Sequence, residues 1–301
     1  MCKVVATCGF RLVAISPNFG YPAWINSYHP KYLSMTIAFQ PRWYFFIALI
    51  SVTFIGPLSL HLFIPAMPVV KEAFAVSTGM AQLTMSLAML SMAFFTVAYG
   101  GLSDRYGRKR VLLSGLVFFT CGAAVCMIAA NLPVLLAGRI LQGAGDGCGV
   151  VVARAIARDV YGQDRVAQVI AYLTAAYVLG PMFAPLIGGQ LTTLFGWRAL
   201  FVLASLFGLV VILAVACAVP ETRARNAAGP RGVVAGYKSL LRRPRFIGFM
   251  VQPGMMSAAF YTQATAASFL AVEHLGADAS DIGLWFFAFP IGFMAGSFIS
   301  G

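Results

Sequence analysis

The sequence predicts an all-α membrane protein. Of its 301 residues, 60% are hydrophobic and only 10% are charged, with a mean hydropathy of +0.85, whereas a water-soluble domain has about 45–50% apolar and about 25% charged residues. The few charges are spaced so that uncharged intervals recur along the chain, each long enough for a membrane-crossing helix of about 17–25 residues. The same wealth of hydrophobes and aromatics excludes disorder. Strands of a membrane barrel would alternate over about ten residues and not run apolar for twenty.

Residues 43–70, between Arg42 and Lys71, hold one helix, as do 73–103, 111–138 and 166–197. The later intervals 199–220, 246–272 and 282–301 hold one each. A further run at 134–153, entered through the turn-like Asn131-Leu132-Pro133, reads as a helix despite Arg139 and Asp146. Eight segments are therefore expected, at 43–66, 79–101, 111–130, 133–156, 166–193, 197–219, 246–271 and 281–301.

Lys and Arg in short loops next to spans mark the cytoplasmic side. The tail before residue 43, the second-to-third loop, the fourth-to-fifth loop and the sixth-to-seventh loop together hold 18 of the 21 basic residues, while Lys71 and Arg198 lie on the other side and Arg139 lies inside a span. The N-terminus is thus expected in the cytoplasm and the chain in the inner (plasma) membrane. The net charge of +12 does not point to nucleic acid, because the Lys and Arg punctuate apolar runs and do not cluster on one solvated face.

Four regions follow: a cytoplasmic tail (1–42), a six-helix bundle (43–219), a cytoplasmic linker rich in Arg, Gly and Ala (220–245), and an incomplete second bundle of two helices (246–301). The first 40 residues do not read as a secretory signal, since Pro17 cuts short the only apolar stretch after Arg11. Met35, just before Gln40-Pro41-Arg42, is a candidate translation start. The six cysteines include no C-x-x-C, and buried free thiols are expected in place of metal ligands or disulfides.

Three motifs stand in order along the bundle. Gly100-Gly101-Leu102-Ser103-Asp104-Arg105-Tyr106-Gly107-Arg108-Lys109-Arg110 lies between the second and third spans and resembles the loop signature of the major facilitator superfamily, G-x-L-x-D-R-x-G-R-[RK]-[RK]. Glycine permits a tight reversal there, and Asp104 can accept charge-assisted hydrogen bonds. In the fourth span, Arg139-Ile140-Leu141-Gln142-Gly143-Ala144-Gly145 looks like the superfamily's R-x-x-Q-G-x-G. In the fifth, Gly180-Pro181-Met182-Phe183-Ala184-Pro185-Leu186-Ile187-Gly188-Gly189 is similar to the antiporter signature G-x-x-x-G-P-x-x-G-G, with Ala184 in place of a glycine.

Shorter matches are Ile64-Pro65-Ala66-Met67-Pro68, Arg154 to Asp159, Gly196-Trp197-Arg198 and Pro220-Glu221-Thr222. Together they resemble the drug:proton antiporter branch, of bicyclomycin and chloramphenicol resistance type, over nearly all of residues 43–301. The resemblance implies a major-facilitator-type bundle whose six-helix first half is complete and whose second half, in a fold of twelve spans, stops after two. It implies proton-coupled export of small organic molecules through the lipid bilayer, with no cofactor beyond the proton gradient. Oligomeric state is left open.

Two residues depart from the branch: His61 stands where an aspartate is usual, and Asp146 where a small residue is usual. Proton coupling requires a group that changes charge inside the membrane, and away from the span ends only Arg139, Asp146 and His61 are formally eligible. Arginine stays charged and can only bias a neighbour, while histidine and a desolvated carboxylate both switch near neutral pH. Arg139 and Asp146 share a helix face about 10.5 Å apart along the axis, too far for a direct pair. The expectation is that Asp146 carries the proton, Arg139 tunes it, and His61 is a secondary site lining the same cavity as Arg139. The alternatives are a buried carboxylate satisfied by its surroundings and a histidine that only packs. Tyr99, Tyr172, Tyr177, Met85 and Met89 are candidates for an apolar cavity wall or for ordinary helix packing.

Two other classes are weighed. A membrane enzyme lacks any assembled catalytic set: the three histidines form no H-E-x-x-H, and neither G-x-S-x-G nor a P-loop occurs. An inactive or partner-dependent fragment is the alternative raised by the chain's end at Gly301.

Overall fold

The computed structural model describes residues 43–222 and 242–288, and the regular elements among the described residues are all helices. The first span is a 31-residue run, Trp43–Ala73, made of helix α1 (Trp43–Phe63), a 3-10 turn (Ile64–Ala66) and α2 (Met67–Ala73). Pro65 and Pro68 donate no backbone N–H, so the chain tightens there without breaking. Helix α3 (Thr78–Tyr106) starts where the Ser77 hydroxyl accepts the Met80 N–H at 3.3 Å. Helix α4 (Arg108–Met127) follows after one residue, Gly107, whose φ of 104° only glycine adopts readily.

Helix α5 (Leu132–Gly162) is capped by Asn131, whose side-chain oxygen accepts the Val134 N–H at 3.0 Å. Helix α6 (Arg165–Phe195) follows almost without interruption, the backbone breaking only at Gly162. Helix α7 (Arg198–Ala218) completes six helices long and apolar enough to cross a bilayer. Helix α8 (Pro244–Leu275) ends on Gly276 in the left-handed conformation, and residues 279–288 form the described part of α9.

Two sequence expectations are corrected. The second-to-third loop is a single residue: Gly100, Asp104 and Arg105 lie on α3, and Arg108, Lys109 and Arg110 form the first turn of α4. The expected fourth-to-fifth loop also shrinks to a kink at Gly162, with Arg154 and Arg158 still on α5. Segments rich in good helix formers continue past the membrane edge until a glycine with positive φ stops them, so charge alone places the helix ends too early. Helix α8 is 32 residues long but is not among the six strongly apolar helices; Gln252, Thr262, Gln263 and Thr265 dilute it. The tail, Met35, most of the linker and the end of α9 lie outside the described residues.

The run α5–α6 (Leu132–Phe195) is the centre of the bundle, packing on α1, α3 and α4, while α7 packs on α4. Close approach makes this arrangement: a Cβ on Gly143 would run into the Ala88 carbonyl of α3, and one on Gly145 into the Phe119 backbone of α4. The first span is mostly buried, whereas α3 and α6 bury little of their length, with Leu90 and Phe94 of α3 and Leu179 and Leu194 of α6 outward. Such a surface suits hydrocarbon, where helices satisfy their own backbone hydrogen bonds.

Candidate functional site

Arg139, the eighth residue of α5, is 1% exposed. Its Nε donates to the Thr84 carbonyl at 3.2 Å, one terminal nitrogen donates to Gln142 Oε1 at 2.7 Å, and the other points at the Met85 sulfur at 3.7 Å. The guanidinium carbon sits 4.7 Å from the Phe63 ring centroid and 6.0 Å from that of Phe201. Among the described residues, four helices, α1, α3, α5 and α7, therefore hold one cation with neutral groups. Planarity and weak hydration let a guanidinium accept this lining of carbonyl, amide and ring faces.

Asp146, two turns further along α5, is also 1% exposed. Neither of its carboxylate oxygens has a hydrogen-bond partner among the described residues, and the same is true of the Ser59 hydroxyl within its reach on α1. Arg139 and Asp146 do not touch, as their spacing predicts. Burying an ionised carboxylate with so few donors in reach is costly, and the Ser59 hydroxyl of α1 is the donor nearest to hand.

His61 is buried on α1, and its Nε2 shares a hydrogen bond of 3.3 Å with the Tyr261 hydroxyl of α8. Phe260 lies beside it, with ring centroids 6.0 Å apart. His61 and Arg139 are not brought together: His61 meets α8, while Phe63, two residues on, meets Arg139. Below them, α2 and α8 are joined by Lys71 and Glu273, at 2.5 Å, and Lys71 lies over the Phe269 ring at 5.8 Å. These contacts use only the later half of α8; residues 248–260 of its earlier half are exposed.

The antiporter-like segment of α6 has two neighbours. Gly180 lies against Pro57 and Gly188 against the Leu62 carbonyl of α1, whereas Gly189 lies against Ala279 and the Pro185 carbonyl against Gly283 of α9. Ala184, the departure from the signature, is fully buried beside them, and Pro181 is half-buried. A methyl group is accommodated at the position where the signature has none.

At the basic end Arg108 is the hub. It pairs with Asp104 at 2.5 Å, with Asp159 of α5 at 3.1 Å, and donates to the Ser103 hydroxyl at 2.7 Å. Its own backbone N–H, at the start of α4, donates to Glu221 at 2.7 Å. A carboxylate at that end meets free N–H groups and the positive end of the helix dipole. Thr222 donates to Asp159 at 3.3 Å, and Lys109 donates to the Ala216 carbonyl of α7 at 2.7 Å. Arg105 lies over the Tyr106 ring at 5.3 Å, and Arg110 is exposed.

The short matches around Asp159 and Glu221 thus converge on the loop signature, a role that their sequence positions did not assign. Phe63, Phe201, Thr84 and Tyr261 were missed altogether, having no motif of their own. Of the candidate wall residues, Met85 touches Arg139, Tyr99 is buried, Met89 packs into the core, and Tyr172 is half-exposed against Phe46.

A helical bundle with a buried charge, glycine-packed helices and a charged latch between them is the architecture of a secondary transporter. The chain belongs to the Major Facilitator Superfamily, whose model matches residues 49–301. Multidrug resistance protein D of Escherichia coli (strain K12) is 31% identical over 198 residues, 66% of this chain and 50% of that protein. A bicyclomycin resistance protein homolog of Haemophilus influenzae is 24% identical over 259 residues, 85% of this chain and 65% of that protein. The chain spans a half to two-thirds of the length of these relatives. A bacterial homologue of the human lysosomal transporter Spinster, crystallised inward-facing and occupied, has the same fold with a TM-score of 0.65 at 19% identity, covering 85% of this chain and 60% of that one. The human organic anion transporter MFSD10 (TETRAN) gives 0.59 at 19% identity, covering 81% and 68%. These relatives and neighbours are transporters and not enzymes.

Proposed function

We propose that the chain serves proton-coupled export of small organic molecules across the inner (plasma) membrane, as a drug:proton antiporter with a cytoplasmic N-terminus. The observation that carries the reading is Asp146: a buried carboxyl group with no hydrogen bond at either oxygen among the described residues, on the helix whose Gly149, Gly143 and Gly145 lie against α1, α3 and α4. Relatives named for multidrug and bicyclomycin resistance support the class.

In this reading Asp146 takes up a proton while the bundle is closed around it, since neutralisation removes the penalty of a bare carboxylate in apolar surroundings. It gives the proton up when water or substrate reaches it. Arg139 keeps a fixed positive charge two turns away and biases the exchange; His61 is a secondary site where α1 meets α8. Alternating access is the rocking of the six-helix unit against the second half. The contacts of α8, gathered at the end away from the basic residues, support a state closed there. The turn at Gly107, the cluster on Arg108 and the glycines of α6 form the surfaces that reorganise.

The test separates coupling from transport. Vesicles containing the Asp146→Asn variant should exchange ethidium down its own gradient but lose uptake driven by a pH gradient. Gradient-driven uptake equal to wild type overturns the assignment.

A further inference from the structure

The end of α1 carries two contacts on different faces. His61 meets Tyr261 of α8 at 3.3 Å, and Phe63 presents its ring to the Arg139 guanidinium at 4.7 Å. In an α-helix two residues are about 200° apart, so one turn of α1 touches the second half with one side and the buried arginine with the other. The 3-10 turn Ile64–Ala66 follows at once, with Pro65 in it. Beyond it α2 ends near the Lys71–Glu273 pair. Both described polar links from α8 to the six-helix unit therefore bracket Phe63 in sequence.

Phe63 is itself fixed. It is 1% exposed and packs, tilted by 47°, with its ring centroid 5.6 Å from that of Phe201, the second ring beside Arg139. Arg139 has no carboxylate partner among the described residues, and there ring faces, neutral oxygens and the Met85 sulfur line its guanidinium.

We propose that Phe63 is the positioning residue that seats the Arg139 guanidinium and passes movement of the second half, felt at His61 and Lys71, to the charge opposite Asp146. The ring supplies the negative face that a cation needs in a dry site, and its attachment to the end of α1 makes the seat move with the contact to α8. When α8 draws away, Phe63 shifts, Arg139 follows, and the field at Asp146 changes without either residue meeting a new partner. The proposal rests on the reading of Asp146 as the proton carrier.

The experiment uses the whole chain in lipid vesicles and dicyclohexylcarbodiimide, an apolar reagent that modifies protonated carboxyls in apolar surroundings. Labelling is followed against pH by mass spectrometry of the peptide containing Asp146, for wild type, Phe63→Leu and Phe63→Tyr. Phe63→Leu, which keeps bulk but loses the ring, should move the midpoint of labelling by about half a pH unit or more, and Phe63→Tyr, which keeps the ring, should restore it. A Leu variant that lowers melting temperature but leaves the midpoint at the wild-type value makes Phe63 a packing residue only and overturns the proposal. Should Phe63→Leu fail to insert, Phe201→Leu removes the farther ring and should move the midpoint in the same direction by less; no movement is again contrary. If Asp146→Asn labels as strongly as wild type, the proton-carrier reading itself falls, and the role of Phe63 with it.

Discussion

Glu221 accepts a 2.7 Å hydrogen bond from the backbone N–H of Arg108, so the segment that leaves the sixth spanning helix caps the third. The same arginine reaches Asp159 at 3.1 Å through its side chain. Three helices are thereby tied at one point at the basic end, around a turn that a single glycine makes. A Cβ on Gly107 would strike the Glu221 carboxylate, so the glycine provides both the reversal and the room for the cap.

Replacing Glu221 with Ala leaves the first turn of α4 without its acceptor. The expected loss is about 0.5–2 kcal/mol, read as a lower melting temperature of the purified protein in detergent. Gln at 221 keeps the acceptor but not the charge and should fall between. The Arg108–Asp104 pair is half-exposed on its acidic side and contributes little by itself, so Asp104→Asn should change the melting temperature less than Glu221→Ala.

Close packing makes a second prediction. Gly188→Ala would push a methyl group into the Leu62 carbonyl of α1, whereas Gly79→Ala in the first turn of α3 meets nothing within 4 Å. The first should destabilise by about 1–3 kcal/mol through overpacking. The second should be neutral or stabilising by up to about 1 kcal/mol, because alanine restricts the unfolded chain more. Thermal melting of the two variants side by side checks both, and equal effects would contradict the helix approach described here.

A third concerns pH. The hydrogen bond and charge of Lys71 hold the Glu273 carboxyl below the usual carboxylate range. A lowered value in the folded state means that the pair contributes stability above the unfolded glutamate value of about 4 and loses it as pH falls through the lowered one. The melting-temperature difference between wild type and Glu273→Gln should therefore be present at neutral pH, shrink as pH drops below about 4, and shrink also with added salt, which screens exposed charges.

The spans were legible because the bilayer demands long apolar runs and leaves charges only at the ends. Arg108 and Gly107 were legible as a motif, but not as a hub: Asp159 and Glu221 come from other helices, and only tertiary structure brings them in. Helix ends were read too short, since the first turn of α4 and the last turns of α3 and α5 carry the charges taken for loops. Arg139 was visible as an unpaired intramembrane charge, yet nothing in the sequence says which rings surround it. His61 and Arg139 were expected in one cavity from their depth along the membrane, and depth does not give azimuth: they face different neighbours.

The central claim is that Asp146 exchanges a proton inside the membrane. Infrared difference spectroscopy of the protein in lipid, recorded between acidic and alkaline pH, reads this without a substrate, through the carbonyl stretch of a neutral carboxylic acid. The account predicts a pH-dependent band in an apolar environment for wild type, absent in Asp146→Asn and displaced in Asp146→Glu. An identical band in the Asn variant, or none in wild type at any pH, would contradict it.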